Sequence, residues 1–311
     1  MKRQTIITLL VIFLILLGLS ISPYLLPHNE KTGTGTMILP EIPFSSWTND
    51  TVTSVQITHG NTALKLHKES TGWFVNTFKA SETKVHDFLT TLSQSMIQQL
   101  VSKNNENFQR MGVDQTNGYT ITIEANHQSP VTLIVGMPGS MYNTIYLRLE
   151  KSNMVYLIKT GLRSFVTSDV SAWRDKTIIS ISSEKIHTIE EQQGKIHLVV
   201  QKNKEGKWEA TWGKKTNAVP ENMMNDLLQT LTSLEASDFL SDQDKQTFEN
   251  TKQKTILSLF DANHQLLWKA FMVEQEGQWW IHKEKQSEYY RIPSYTGKKL
   301  VLPTKDLFPS T

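Results

Sequence analysis

Two stretches of this 311-residue chain carry the same order of apolar spacings, and that repetition limits the fold more than composition does. The first opens with Val55, Ile57, Leu64 and Leu66 alternating with polar residues, turns at Gly72 and reaches Trp73. The second has Ile186, Ile189, Ile196, Leu198 and Val200, a turn at Gly206, then Trp208. Alternation of period two around a Gly turn predicts half-buried hairpins. The spacing then becomes helical. Val85, Phe88, Leu89, Leu92 and Met96 share one face, as do Met224, Leu227, Leu228, Leu231 and Leu234 after Pro220. Strand patterns return at Tyr119, Ile121 and Ile123, and at Ile256, Leu257, Leu259 and Phe260. Each runs into Ala-Asn-His-Gln, at 125–128 and 262–265, which predicts a hairpin corner. Each copy closes with two further strands, Ile145 to Leu147 with Val155 to Ile158, and Trp279 to Ile281 with Tyr289 to Ile292.

Trp73 and Trp208, Leu92 and Leu231, Ala125 and Ala262, and Tyr146 and Trp280 are all 134–139 residues apart, a drift that short loop insertions explain. The predicted fold class is α+β: an N-terminal transmembrane helix followed by two tandem repeats of an antiparallel sheet with one packed helix. The expected boundaries are a cytoplasmic N-terminus at 1–4, an anchor at 5–27 and a stalk at 28–50. Repeat 1 then spans 51–165, an inter-repeat segment 166–182, repeat 2 183–300 and a tail 301–311. Trp73 and Trp208 recur at matching places and are expected in the cores.

The anchor rests on hydropathy. No charged residue occurs from Gln4 to Pro27, and about 20 apolar residues cross a hydrocarbon layer of about 30 Å. Lys2 and Arg3 precede it, which predicts a cytoplasmic N-terminus and an extracytoplasmic body on a single-pass protein of the cell membrane. A cleaved secretory signal is the competing reading, with weak small-x-small sites at Gly18-Leu19-Ser20 and Ser20-Ile21-Ser22. The first Ala is Ala63, so no A-x-A site lies nearby and the uncleaved anchor is preferred. Thr32 to Thr36 alternates Thr with Gly, and Pro40 and Pro43 follow, a composition suited to a stalk.

Lys and Arg number 32 against 30 Asp and Glu, so beyond Lys2 and Arg3 the chain is neutral, which speaks against nucleic acid as a partner. There is no Cys, hence no disulfide framework, thiol nucleophile or cysteine zinc site.

Between the copies lies Ser168-Asp169-Val170-Ser171-Ala172-Trp173-Arg174-Asp175-Lys176, followed by Thr177 to Ile181. Ser168 or Asp169 suits the cap of a short helix carrying Trp173 inward, and Ile178 to Ile181 the start of a strand. An Arg-Asp-Lys run after an aromatic residue, then an apolar pair, then Ile186-x-x-Ile189 and a Gly-Trp-like turn, resembles the bacterial domain-of-unknown-function 4340 family. The anchor and the duplicated unit fit that resemblance. It implies no established catalytic residues. Some members resemble envelope components encoded beside ABC-type transporters of the gliding-motility kind, so it implies a transporter-associated accessory role.

Several short motifs resemble those that carry chemistry elsewhere. Arg174 and Asp175 suit a carboxylate or phosphate clamp, but a linker shared by two sheets favours a staple, with Trp173 buried and the two charged residues bonding backbone groups at a helix end. Ser81-Glu82-Thr83-Lys84 and Ser182-Ser183-Glu184-Lys185 match S-x-x-K, and Lys159-Thr160-Gly161 matches K-T-G, yet the middle S-x-N element is missing. No two His have H-x-x-x-H spacing. Trp268, Trp279 and Trp280 offer indole platforms for sugar or protein, and since adjacent residues of a strand face opposite ways, at most one of Trp279 and Trp280 is expected to be buried.

The expectation is therefore a protein that is not an enzyme and has no catalytic, cofactor or metal site. It is read as a membrane-anchored extracytoplasmic accessory or scaffold of an envelope complex, with ABC transporter subunits as the candidate partners. A cell-wall polysaccharide-binding module using exposed Trp residues is the alternative. Trp173, Arg174, Asp175, Trp268, Trp279 and Trp280 are the interface or structural residues singled out.

Overall fold

The alternating segments form strands, and the helical segments cover them. The computed structural model describes residues 42–309. The predicted anchor at 5–27, the N-terminus before it and the stalk up to residue 41 lie outside the described residues. Among the described residues no helix is long and apolar enough to cross a membrane.

Repeat 1 contains β1 (Val52–His59), β2 (Thr62–Glu69), β3 (Gly72–Val75), β4 (Phe78–Lys79), α1 (Glu82–Ser93) and β5 (Met96–Ser102), then α2 (Phe108–Met111), β6 (Tyr119–Ala125), β7 (Val131–Pro138), β8 (Thr144–Leu149) and β9 (Val155–Lys159). A short β10 (Thr177–Ile179) follows in the linker. Repeat 2 contains β11 (Thr188–Gln193), β12 (Ile196–Lys202), β13 (Trp208–Trp212), β14 (Lys215–Ala218), α3 (Glu221–Thr232), β15 (Leu234–Glu235) and β16 (Asp238–Phe239). It continues with α4 (Asp242–Asn250), β17 (Thr255–Phe260), β18 (Leu266–Gln275), β19 (Gln278–Lys283), β20 (Tyr289–Pro293), α5 (Ser294–Leu300) and α6 (Thr304–Leu307).

The two large sheets have the same topology. Their orders are β4-β3-β2-β1-β6-β7-β8-β9-β5 and β14-β13-β12-β11-β17-β18-β19-β20-β16. Register agrees too: Val55 pairs with Leu66 and Ile123, as Ile189 pairs with Val200 and Leu259. His127 and His264, in the repeated corner motif, both adopt φ +60°.

One face of each sheet is closed by the predicted helix. Val85, Phe88, Leu89 and Leu92 of α1 are buried, as are Met224, Leu227 and Leu231 of α3. Both helices stop earlier than their spacing suggests. Met96 begins edge strand β5 and is 56% exposed. The buried Ser95 hydroxyl donates to Thr160 Oγ1 at 2.8 Å, tying the chain beside β9 instead of continuing the helix. Leu234 likewise leaves α3 and pairs, buried, with β10.

A second helix packs on the opposite face of each sheet, which corrects the expectation of one helix per repeat. In repeat 1, α2 brings Met111 against Val113, Ile134 and Val155. In repeat 2, Phe248 of α4 joins Leu240, Val273 and Trp280. These far-face clusters bury side chains that alternation assigns to solvent.

Two predicted boundaries fall inside the folded unit that begins at Phe44. Phe44–Ser46 form a 3₁₀ turn, and Phe44 and Trp47 are buried edge to face at 5.7 Å. At the other end Leu302, Leu307 and Phe308 enter the core of repeat 2. Of the paired Trp residues, Trp73 is fully buried, whereas Trp208 is half-buried against the second core.

Candidate functional site

The residues singled out in the linker converge on the junction between the repeats. The predicted short helix is a turn: Asp169 Oδ1 accepts the Ser171 N–H at 3.0 Å and the Trp173 N–H bonds Val170 O. The chain then extends, because it pairs in succession with the β4 edge of repeat 1 and with the short β15 of repeat 2. Ala80 and Arg174 form an antiparallel bridge. The Ser81 N–H donates to Trp173 O at 2.9 Å and the Asp175 N–H to Lys79 O at 2.8 Å. Immediately afterwards the Ala236 N–H donates to Lys176 O at 2.8 Å, and β10 pairs with β15. The linker backbone thereby closes the β4 edge of repeat 1 and forms a separate two-stranded ribbon with β15.

Side chains reinforce that stitching. Trp173 is fully buried, edge-on to Phe88 of α1 at 5.5 Å. Arg174 lies between two aromatic rings, one from each repeat, with its guanidinium carbon 3.8 Å from the Phe78 centroid and 3.4 Å from that of Phe239. Its Nη2 also bonds the Glu288 carboxylate. Asp175 accepts the Thr177 N–H at 3.0 Å, Ser171 Oγ donates to Asp238 at 2.6 Å, and Lys176 Nζ reaches Ser237 O at 2.9 Å. The staple therefore differs from the expected one in detail. Arg174 is held by rings and a carboxylate, not by backbone groups at a helix end, since a planar cation stacks on flat faces where an ammonium does not.

Charge at the junction is largely matched. Burial pushes the Asp238 carboxyl up, but bonds from Ser171 and the Phe239 N–H, with Lys176 and Arg291 nearby, outweigh it and hold the group below the usual carboxylate range. Burial and then the Lys176 charge lower Lys84, whose Nζ donates to Ala172 O at 2.5 Å and lies 5.0 Å from the Trp173 ring centroid. A cleft of about 390 Å³ opens beside Arg174, and another of about 630 Å³ beside Ser81 and Lys84; Lys79, Asp175 and Thr177 line both.

Ser81 is the cap of α1. Its Oγ accepts the Lys84 backbone N–H at 3.3 Å while the Lys84 ammonium is turned to the linker, so this S-x-x-K pair is used in folding. Glu82 reaches back to the Trp73 N–H at 2.7 Å. Among the described residues no group of three or more His, Asp or Glu is placed to hold a metal ion.

The three Trp platforms are not platforms. Trp268, Trp279 and Trp280 are only 3%, 6% and 5% exposed. Trp279 and Trp280 do face opposite ways, but both faces are covered: Trp279 by the main core and Trp280 by α4. The expectation that at most one is buried is corrected by that unforeseen helix, and none of the three rings is exposed. Phe78, Phe239 and Glu288, which complete the junction, were missed. The two Phe lie in strands of two residues, too short to show periodicity, and Glu288 sits in a turn 114 residues from Arg174.

Substituting Arg174 by Ala is expected to cost about 2 kcal/mol, from two lost cation–π contacts and an unpaired, part-buried Glu288. Arg174→Lys should recover less than half in urea denaturation. Full recovery by Lys would mean that charge alone, without stacking, makes the contact.

No curated protein and no solved structure matches this chain. A family model described as Domain of unknown function (DUF4340) matches residues 50–253, which takes in repeat 1, the whole linker, and strands β11 to β16 with helices α3 and α4 of repeat 2. With most of its length inside that match, the chain belongs to the DUF4340 family.

Proposed function

We propose that this protein is a non-catalytic accessory or scaffold subunit of an envelope complex, tethered to the membrane by residues 5–27 with its folded body outside the cytoplasm. An ABC-type transporter assembly is the proposed partner. The observation that carries the reading is the junction itself. The residues best suited to bind a ligand, Arg174 and Lys84, are engaged in joining two copies of one unit. A body so stitched holds its outer surfaces at a fixed spacing, which suits a subunit that positions partners. The uncharged run from Gln4 to Pro27 behind Lys2 and Arg3 supports the tether and its orientation.

The test is chemical crosslinking in intact membranes, followed by purification of the full chain and identification of what comes with it. Transporter subunits are the expected companions. Recovery of the protein alone, under conditions where a known complex in the same membranes is captured, would falsify the reading.

A further inference from the structure

One carboxyl group of the second core has no counterpart in the first. On β11, Ile189 and Glu191 point inward, and Glu191 is only 2% exposed. It pairs with Leu198 and Leu257, as Ile57 pairs with Leu64 and Ile121 in repeat 1. Register therefore makes Ile57 and Glu191 equivalent, and an apolar residue fills this place in the other copy. A carboxyl group there is costly unless it is neutral or well bonded. Its hydrogen-bond donor is the Leu302 N–H, at 2.8 Å.

Leu302 belongs to the chain after α5. This segment adds no strand to the sheet. It is held by the burial of Leu302, Leu307 and Phe308, by the contact of Phe308 with Trp212 at 5.8 Å, and by an Asn217 side-chain bond to Leu307 O at 2.6 Å. We propose that residues 301–309 form a proton-operated latch on repeat 2, with the Glu191 carboxyl as its catch. The neutral acid accepts the Leu302 N–H and fits the apolar core. The ionised form regains water only when the segment lifts away.

The surroundings leave proton occupancy to burial. The groups facing Glu191 are Leu198 from β12, Leu257 from β17 and Leu302 from the latch. Met224, Leu227 and Leu231 of α3 complete this core. Glu190 and His197 project from the opposite face of the same strands, and Lys298, Lys299, Lys305 and Asp306 are exposed. Tyr290, also in this core, stays neutral because burial, then the Glu288 charge, push its hydroxyl up to about 12. Burial likewise raises Glu191 from 4.5 to about 7, against the opposing bond from Leu302.

The sign follows from the raised value. The closed latch binds the proton more tightly than the open one, so closure is strongest below about pH 4.5, weakens as pH climbs to about 7, and levels off above it. Acid tightens the latch. Hydrogen exchange of the full chain, corrected for the intrinsic pH dependence of exchange, should show the opening constant at Leu302 rising roughly 50-fold between pH 5 and pH 8. In Glu191→Gln, which keeps the acceptor but cannot ionise, the constant should change less than about threefold over that range. Trypsin cleavage after Lys305, normalised to an unstructured peptide at each pH, should follow the same two profiles. An unchanged wild-type opening constant, or a Gln variant with the wild-type slope, overturns the proposal. The wild-type slope alone decides the matter if the variant folds poorly.

Discussion

Trp173→Ala will lower the unfolding free energy by about 3–5 kcal/mol, the usual cost of emptying a buried Trp site. Three roles are lost together. The indole fills the gap over Phe88, its ring is the surface beneath Lys84, and its bulk fixes the backbone that Ser81 and Lys79 bond on either side. The edge-to-face pair contributes only about 1 kcal/mol of this, so the cavity dominates. In calorimetry of the full chain the expected drop is on the order of 10 °C. Repeat 1 should unfold first, because the hole lies against its own helix. A shift of less than about 2 °C with one unbroken transition would mean that Trp173 is dispensable to the junction.

Gly297→Ala will destabilise repeat 2 by about 3 kcal/mol, against the ordinary preference for Ala of up to about 1 kcal/mol in a helix. A Cβ at Gly297 would stand 2.0 Å from Cδ1 of Trp279 and 2.7 Å from its Cβ. The obstacle includes the root of the indole, which cannot swing aside without moving β19. Overpacking therefore wins over propensity. The matching place in repeat 1 is Ile145, which pairs with Ile158 as Trp279 pairs with Ile292. Combining Gly297→Ala with Trp279→Ile should therefore recover at least about 1 kcal/mol of coupling in a double-mutant cycle. A stabilising Gly297→Ala would show that the close approach does not exist.

The period-two runs made the strands of both repeats readable because one face of each is buried, and a slip of one residue would turn Val55 or Ile189 outward. The main helices were equally plain, since Phe88, Leu89 and Leu92, like Leu227 and Leu231, recur at helical spacing. Membership of the family was legible in the linker and the duplication together. The far-face helices were not. In α4, Phe248 is buried among largely polar neighbours, so no apolar stripe marks a helix that nevertheless covers Trp280.

Local pattern thus determined the repeat, its strand-helix-strand order and the inward set of the main cores, because period and side-chain alternation are properties of neighbouring residues. Tertiary structure alone decided that Arg174 lies between Phe78 and Phe239, that Trp279 and Trp280 are both covered, and that Glu191 meets Leu302. The Arg174 and Glu191 contacts join residues 65 to 111 positions apart, and the strength of all these contacts depends on desolvation and on shape. Neither exists until both partners are in place.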